Sequence, residues 1–177
     1  CGVDQVGNFC KMTVFERRGD RVIVMLSSGN LAVAEGVVAL LELRAQRNYA
    51  EFFKKSVLYK KNVVVAGATG SGKTTFMKSL VGHIPFDERL VTIEDARELF
   101  IEQPNVVHLL YSKGGQSASN VTAKTCMEAC LRMKPDRIIL AELRGDEAFY
   151  FIRNCASGHP GSITSCHAGS TSQTWDQ

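Results

Sequence analysis

No apolar run in the 177 residues approaches the roughly 20 that a membrane-spanning helix needs. The first ten residues are mixed polar and small, without the charged start and apolar middle of a signal peptide. No block of one charge stands out: 21 Lys and Arg against 18 Asp and Glu leave a net charge of +3. The basic residues are scattered and carry no aromatic interleaving, so the sequence gives no ground for nucleic-acid binding. Internal repeats and low-complexity tracts are missing as well. What remains is ordinary for a globular chain, 45% apolar and 22% charged. Its length suits one domain with a sizeable core, or one core with a small appendage.

The most informative segment is Gly67-Ala68-Thr69-Gly70-Ser71-Gly72-Lys73-Thr74, followed by Thr75. It follows the pattern G-x-x-x-x-G-K-T, a phosphate-binding loop for a nucleoside triphosphate with Mg²⁺. Asn62 to Ala66, just before it, is short, apolar and β-branched and reads as a buried strand. Thr74 to Val81, just after it, reads as a helix with Phe76, Met77, Leu80 and Val81 on one side. Glycines let the backbone fold round phosphates, and a helix N-terminus presents free N–H groups and a positive dipole to them. Lys73 is expected to reach the β- and γ-phosphates, and the Thr74 hydroxyl to bind Mg²⁺.

The rest of the chain is read from periodicity. Phe9–Glu16 and Val22–Leu26 suggest a hairpin turning at Gly19-Asp20. Val37–Leu43 and Tyr49–Tyr59 suggest helices. From Asn62 to His167 strands and helices alternate: strands at Leu90–Ile93, Val106–Tyr111, Ile138–Leu140 and Ser162–Cys166, helices at Thr122–Met133 and Asp146–Cys155. Ser112–Asn120 is Gly/Ser-rich and reads as a mobile loop. This alternation predicts an α/β fold with a mainly parallel sheet, which binds ligands at the carboxyl ends of its strands.

Three polar clusters follow predicted strands. Thr92-Ile93-Glu94-Asp95 puts Glu94 where a carboxylate could orient and deprotonate the attacking water, or merely cap a helix or form a surface salt bridge. Arg137 to Gly145 places Glu142 after an apolar run, suited to hold a Mg²⁺-bound water; Arg144 pairs with it or faces a neighbour. Gly158 to Gly169 places His167 after a strand, where an imidazole could meet a γ-phosphate or be structural, as could His159. His83 and His108 read as structural. The six cysteines, Cys1, Cys10, Cys126, Cys130, Cys155 and Cys166, form an even set. Even counts imply disulfides in short secreted chains, whereas a nucleotide loop argues for a reducing cytosol. Cys126 and Cys130 lack a second Cys or His pair to complete a zinc site, so they read as small buried side chains.

In order and spacing, GATGSGKTT, TIED, LRMKPDRIILAELRG and GHPGSITSCHAGS resemble the secretion and traffic ATPases of bacteria, over roughly residues 48–172. LAELRG and SITSCHAGS look most like the type IV secretion and conjugation branch; the type II and pilus-retraction branches usually carry Gly-Glu at Ala141-Glu142. The resemblance implies a RecA-like ATPase using ATP and Mg²⁺. It implies a homohexameric ring, cytoplasmic and peripheral to the inner membrane. Its partners would be other secretion-system components and a secreted protein or DNA–protein substrate. It assigns phosphate binding to Gly67 through Thr75, with Lys73 and Thr74 central. Glu94 becomes the general base, Glu142 the magnesium-side acid and His167 the γ-phosphate sensor. By the same resemblance, residues 1–47 are a remnant of an N-terminal domain and linker. Residues 48–177 are the ATPase domain, cut short at its C-terminal end. Arg17, Arg18, Arg21, Arg44 and Arg47 are candidates for γ-phosphate contact, none in a matching motif. The same residues would also serve a nucleotide-gated assembly module with little turnover.

Overall fold

A computed structural model describes residues 9–17, 20–27, 34–112, 121–170 and 173–174. The loop expected over 112–120 lies, beyond Ser112, outside the described residues, as do Arg18 and Gly19.

The elements run β1 (Phe9–Arg17), β2 (Asp20–Ser27), α1 (Ala34–Ala45), α2 (Tyr49–Leu58), β3 (Asn62–Ala66), α3 (Lys73–Val81) and β4 (Leu90–Glu94). There follow β5 (Val106–Leu110), α4 (Ala123–Cys130), β6 (Arg137–Leu143), α5 (Glu147–Ala156) and β7 (Ile163–Cys166). One 3-10 turn, Leu131–Met133, tightens the end of α4 before Pro135. The described strands form one seven-stranded sheet in the order β1-β2-β3-β7-β6-β4-β5. From β3 to β5 all neighbours are parallel.

The expected hairpin joins the main sheet. β2 pairs antiparallel with β3, Ile23 opposite Ala66 and Ser27 opposite Asn62, so the hairpin extends the same layer.

Helices cover both faces. Side chains alternate along each strand, and β6 divides them cleanly. Ile139 packs with Phe52, Phe53 and Val57 of α2 and Met77 and Leu80 of α3. Ile138 and Leu140 pack with Cys126, Met127 and Cys130 of α4 and Phe151 of α5. Burying each such large apolar side chain contributes about 1.5–3 kcal/mol. The buried Cys126 and Cys130 are free thiols serving this core. On α4 Met127 is buried and Ala129 exposed, and on α2 Leu58 faces solvent.

Two of these helices begin conventionally. Asn48 accepts from Glu51 N–H ahead of α2, and Thr122 from Thr125 N–H ahead of α4. α3 does not: its N-cap is Gly72, which supplies no side-chain cap.

Candidate functional site

Sheet order decides what meets what. β3 and β7 are neighbours with Ala66 opposite Cys166, so the glycine loop and His167 leave the sheet side by side. β6 flanks β7 on its other side, with Leu143 opposite Cys166. Between Leu140 and Leu143 the β6–β7 register slips by one residue, a bulge at Ala141-Glu142. Bulges re-aim side chains next to sites. Here the Ser165 hydroxyl donates to the Ala141 carbonyl at 2.6 Å, and Glu142 projects to the carboxyl edge.

The loop itself turns on Gly70 and Gly72, at φ +80° and +89°, where a non-glycine residue is strained. A Cβ at either would meet nothing within 4 Å, so these glycines serve backbone shape and leave open space above the loop. The buried Lys73 ammonium donates to the Gly67 and Ala68 carbonyls, both at 2.9 Å. The Ser71 hydroxyl is buried without a hydrogen-bond partner among the described residues. An orphaned hydroxyl, an uncapped helix start and an ammonium resting on its own loop have the chemistry of an anion cradle. Thr74 is half-buried in the first turn of α3, and Thr75 beside it is exposed.

His167 bridges this cradle to β6. Its Nδ1 lies 3.4 Å from Thr69 Oγ1 and 3.5 Å from Lys73 Nζ, and its Nε2 lies 2.7 Å from Glu142 Oε1. Arg144 Nη2 donates to the other carboxylate oxygen, Glu142 Oε2. Burial pushes the Lys73 ammonium below its ordinary value, and the Glu142 charge counters this. The Arg144 guanidinium is held protonated chiefly by its bond to Glu142, with Asp95 also attracting it. Tyr111, at the end of β5, is raised to about 12 by burial first and then by Asp95 and Glu147.

The structure thus brings together the loop, Lys73, His167 and Glu142, while the hydrogen bonds of Glu94 go to Thr92 and to the turn after β4. Thr92 and Glu94 share one side of β4, and Glu94 is fully buried. Glu94 Oε1 accepts from Thr92 Oγ1 at 2.9 Å; Oε2 accepts from Glu98 and Leu99 N–H at 2.9 and 2.8 Å. His108, opposite Thr92 on β5, closes the group at 2.8 Å from its hydroxyl. The residue expected as general base therefore caps the turn after β4, and no described partner of its carboxylate belongs to the glycine loop. β4 lies beyond β6 and β7 from β3 and directly beside β6. Arg144 and Asp95 are the participants that the sequence left undecided or unnamed. Arg144 lies two residues past Glu142 on an extended segment, on the same side as Glu142 if the strand continues.

His159 is placed at the other end of the sheet, its Nδ1 donating to the Pro135 carbonyl at 2.8 Å. Of the arginines considered for γ-phosphate contact, Arg44 is half-buried in the last turn of α1 and Arg47 is exposed just after it. No group of three or more metal-ligating His, Cys, Asp or Glu occurs among the described residues. No helix among the described residues is long and apolar enough to cross a membrane.

Known proteins share much of this sequence and fold. Over 141 residues the chain is 55% identical to the type IV secretion system protein VirB11 of Brucella suis biovar 1, covering 78% of this chain and 39% of that protein. It is 54% identical over 123 residues to PtlH of Bordetella pertussis, covering 68% and 36%. The chain thus spans under half the length of these relatives. Among solved structures, the VirB11 ATPase of the Brucella suis type IV secretion system, in complex with sulphate, superposes with a TM-score of 0.73 at 39% identity. That match covers 94% of this chain and 60% of that one. The Legionella pneumophila ATPase DotB, at 17% identity and TM-score 0.52, shares the fold. The family described as Type II/IV secretion system protein matches residues 22–176, and the chain belongs to it.

Proposed function

We propose that this chain carries the ATP-binding and ATP-hydrolysing core of a type IV secretion or conjugative transfer motor. The observation that carries this reading is the Lys73 ammonium, held at 2.9 Å on two carbonyls of its own loop beside an uncapped helix start. A triphosphate entering the cradle replaces those carbonyls with charged oxygens, and gains the Ser71 hydroxyl and the free N–H groups of α3. The similar Brucella structure holds sulphate, an anion of phosphate's shape and charge.

Thr74, with Glu142 acting through water, would hold Mg²⁺, which supplies charge neutralisation on the phosphates when bound. Glu142 is the carboxylate linked by contacts to the cradle, through His167, and it orients the attacking water in this reading. His167 meets the γ-phosphate with Nδ1. Glu94 contributes by fixing the turn that carries Asp95; a role as base would need its carboxylate to leave the Glu98 and Leu99 amides. In the whole protein the core works in a homohexameric ring, cytoplasmic and peripheral to the inner membrane. Other secretion-system components and a protein or DNA–protein substrate are its partners.

The test is phosphate release from ATP by the full-length protein and its Lys73→Ala variant. The expected loss is on the order of 10²–10³-fold, with the unfolding midpoint kept. Undiminished turnover by the purified variant overturns the assignment.

A further inference from the structure

Along β6 the side chains alternate as far as Ala141 and then break step. Ile139 and Ala141 pack on the side of α2 and α3, Ile138 and Leu140 on the side of α4 and α5. Unbroken alternation would send Glu142 toward α4 and α5, and Leu143 toward α2 and α3. Leu143 instead packs with the α4–α5 side and with Cys166. The register agrees. Leu140 stands opposite Thr164 and Leu143 opposite Cys166, so one extra residue of β6 lies between the two pairs. That residue reverses the alternation and leaves Ala141 and Glu142 together on the α3 side. α3 is the helix that starts at Lys73. Glu142 Oε1 lies 2.7 Å from His167 Nε2, buried and without a hydrogen-bond partner among the described residues. The bulge therefore decides which face of the sheet receives this carboxylate.

Something must hold the bulge. Neither Ala141 nor Glu142 is a glycine or a proline, so backbone preference does not place it. An extra residue interrupts the ladder, and a buried carbonyl there needs a donor. Ser165 supplies one. It is 3% exposed on β7, and its hydroxyl donates to the Ala141 carbonyl at 2.6 Å. Ile163 packs on the α2–α3 side, so Ser165, two residues on, faces the side to which the bulge turns Glu142.

We propose that Ser165 is a positioning residue: its hydroxyl pins the Ala141-Glu142 bulge and so keeps the Glu142 carboxylate on the glycine-loop side of the sheet. The geometry stands by itself; the consequence for turnover rests on the ATPase reading above. Ser165 is buried in β7 and acts through Glu142, not on the phosphates.

The experiment uses full-length wild type, Ser165→Ala, Ser165→Thr and Ser165→Val. Glutamate labelled with ¹³C at the side-chain carboxyl reports Glu142, whose signal is the one lost in Glu142→Gln. In nucleotide-free protein that signal should move in Ser165→Ala and Ser165→Val, and Ser165→Thr should restore most of the difference. In turnover, Ser165→Ala should lower kcat by about 10–100-fold, as loss of an outer supporting group typically does, with ATP affinity kept within about twofold. Threonine and valine share one shape, so their difference reports the hydroxyl apart from packing, even where both variants are less stable. Ser165→Thr should keep the higher kcat. A Glu142 signal unmoved in Ser165→Ala and Ser165→Val overturns the proposal. So do equal kcat values in Ser165→Thr and Ser165→Val, and so does a loss confined to ATP affinity. A wild type that binds no ATP would sink the ATPase reading, while the carbon signal still decides whether Ser165 positions Glu142.

Discussion

The two ends of the central sheet carry similar charged residues and use them in opposite ways. At the amino end, Arg137 is fully buried and every part of its guanidinium is engaged. It donates to both Glu88 oxygens at 2.6 and 2.9 Å and to the Val57 carbonyl at 2.8 Å. At the carboxyl end, Lys73 rests on its own loop, the Ser71 hydroxyl lacks a partner among the described residues, and α3 starts uncapped. A closed set of partners locks α2, β4, β6 and β7 together. An open set is a surface built to receive something. The difference lies in satisfaction of the polar groups, not in how many charges are present.

Glycine shows the same contrast. Gly161 and Gly70 have nearly equal φ, +81° and +80°. A Cβ at Gly161 would sit 2.6 Å from Arg137 Nη1 and 3.0 Å from Lys60 Cα, whereas at Gly70 it would meet nothing within 4 Å. One glycine makes room for the clamp; the other shapes a loop with room left over.

The comparison can be broken most forcefully at Arg137. Arg137→Met strands the Glu88 carboxylate and should destabilise by about 3–5 kcal/mol. Denaturant unfolding should reveal this while ATP affinity of the folded protein holds; weakened affinity in the folded fraction would mean the two ends are not independent. Next comes Gly161→Ala, expected to remove about 1–3 kcal/mol through backbone strain with the clash against Arg137 added. Gly70→Ala should show the strain alone and should weaken ATP binding, which Gly161→Ala should not. Unfolding curves and ATP titrations on both variants check the pair. Equal stability losses would discount the Arg137 contact.

Glu94→Gln should remove about 1–3 kcal/mol, because an amide cannot accept from the Thr92 hydroxyl and two N–H groups as a carboxylate does. Its turnover per folded molecule should fall less than that of Lys73→Ala. A larger loss in a steady-state assay would return Glu94 to the reaction. The smallest effect concerns acid. Burial raises the Glu88 carboxyl, but Arg137, with help from Lys60, outweighs this and holds it below its ordinary 4.5. A carboxyl lowered in the folded state contributes stability that is complete above its unfolded value and lost as pH falls through the folded one. Stability should therefore decline below about pH 4.5, and Arg137→Met should flatten that decline, as unfolding midpoints against pH would show.

Much of this was legible in residues alone. β3 runs over the residues expected, because β-branched apolar runs ahead of a glycine loop leave little choice. The loop and the helix after it were equally plain. Strand order was not, since nothing in TIED says that β6 and β7 stand between it and the glycine loop. Nor does TIED show the turn amides of Glu98 and Leu99 that the Glu94 carboxylate accepts from. The bulge that aims Glu142 is a register slip of one residue and has no glycine or proline to announce it. The Arg137–Glu88 pair joins residues 49 apart, invisible without the fold. The hairpin's place in the sheet depends on β2 meeting β3, again a long-range pairing.

We propose above all that the carboxyl end of the sheet is an anion cradle whose natural occupant is a triphosphate held by Lys73. Calorimetric titration of Mg-ATP into full-length wild type and Lys73→Ala tests it directly. The account predicts saturable binding by wild type and affinity lower by about 10–100-fold in the variant, the loss of one charge-assisted hydrogen-bonding group, with both proteins equally folded. Equal affinities in wild type and variant would contradict it.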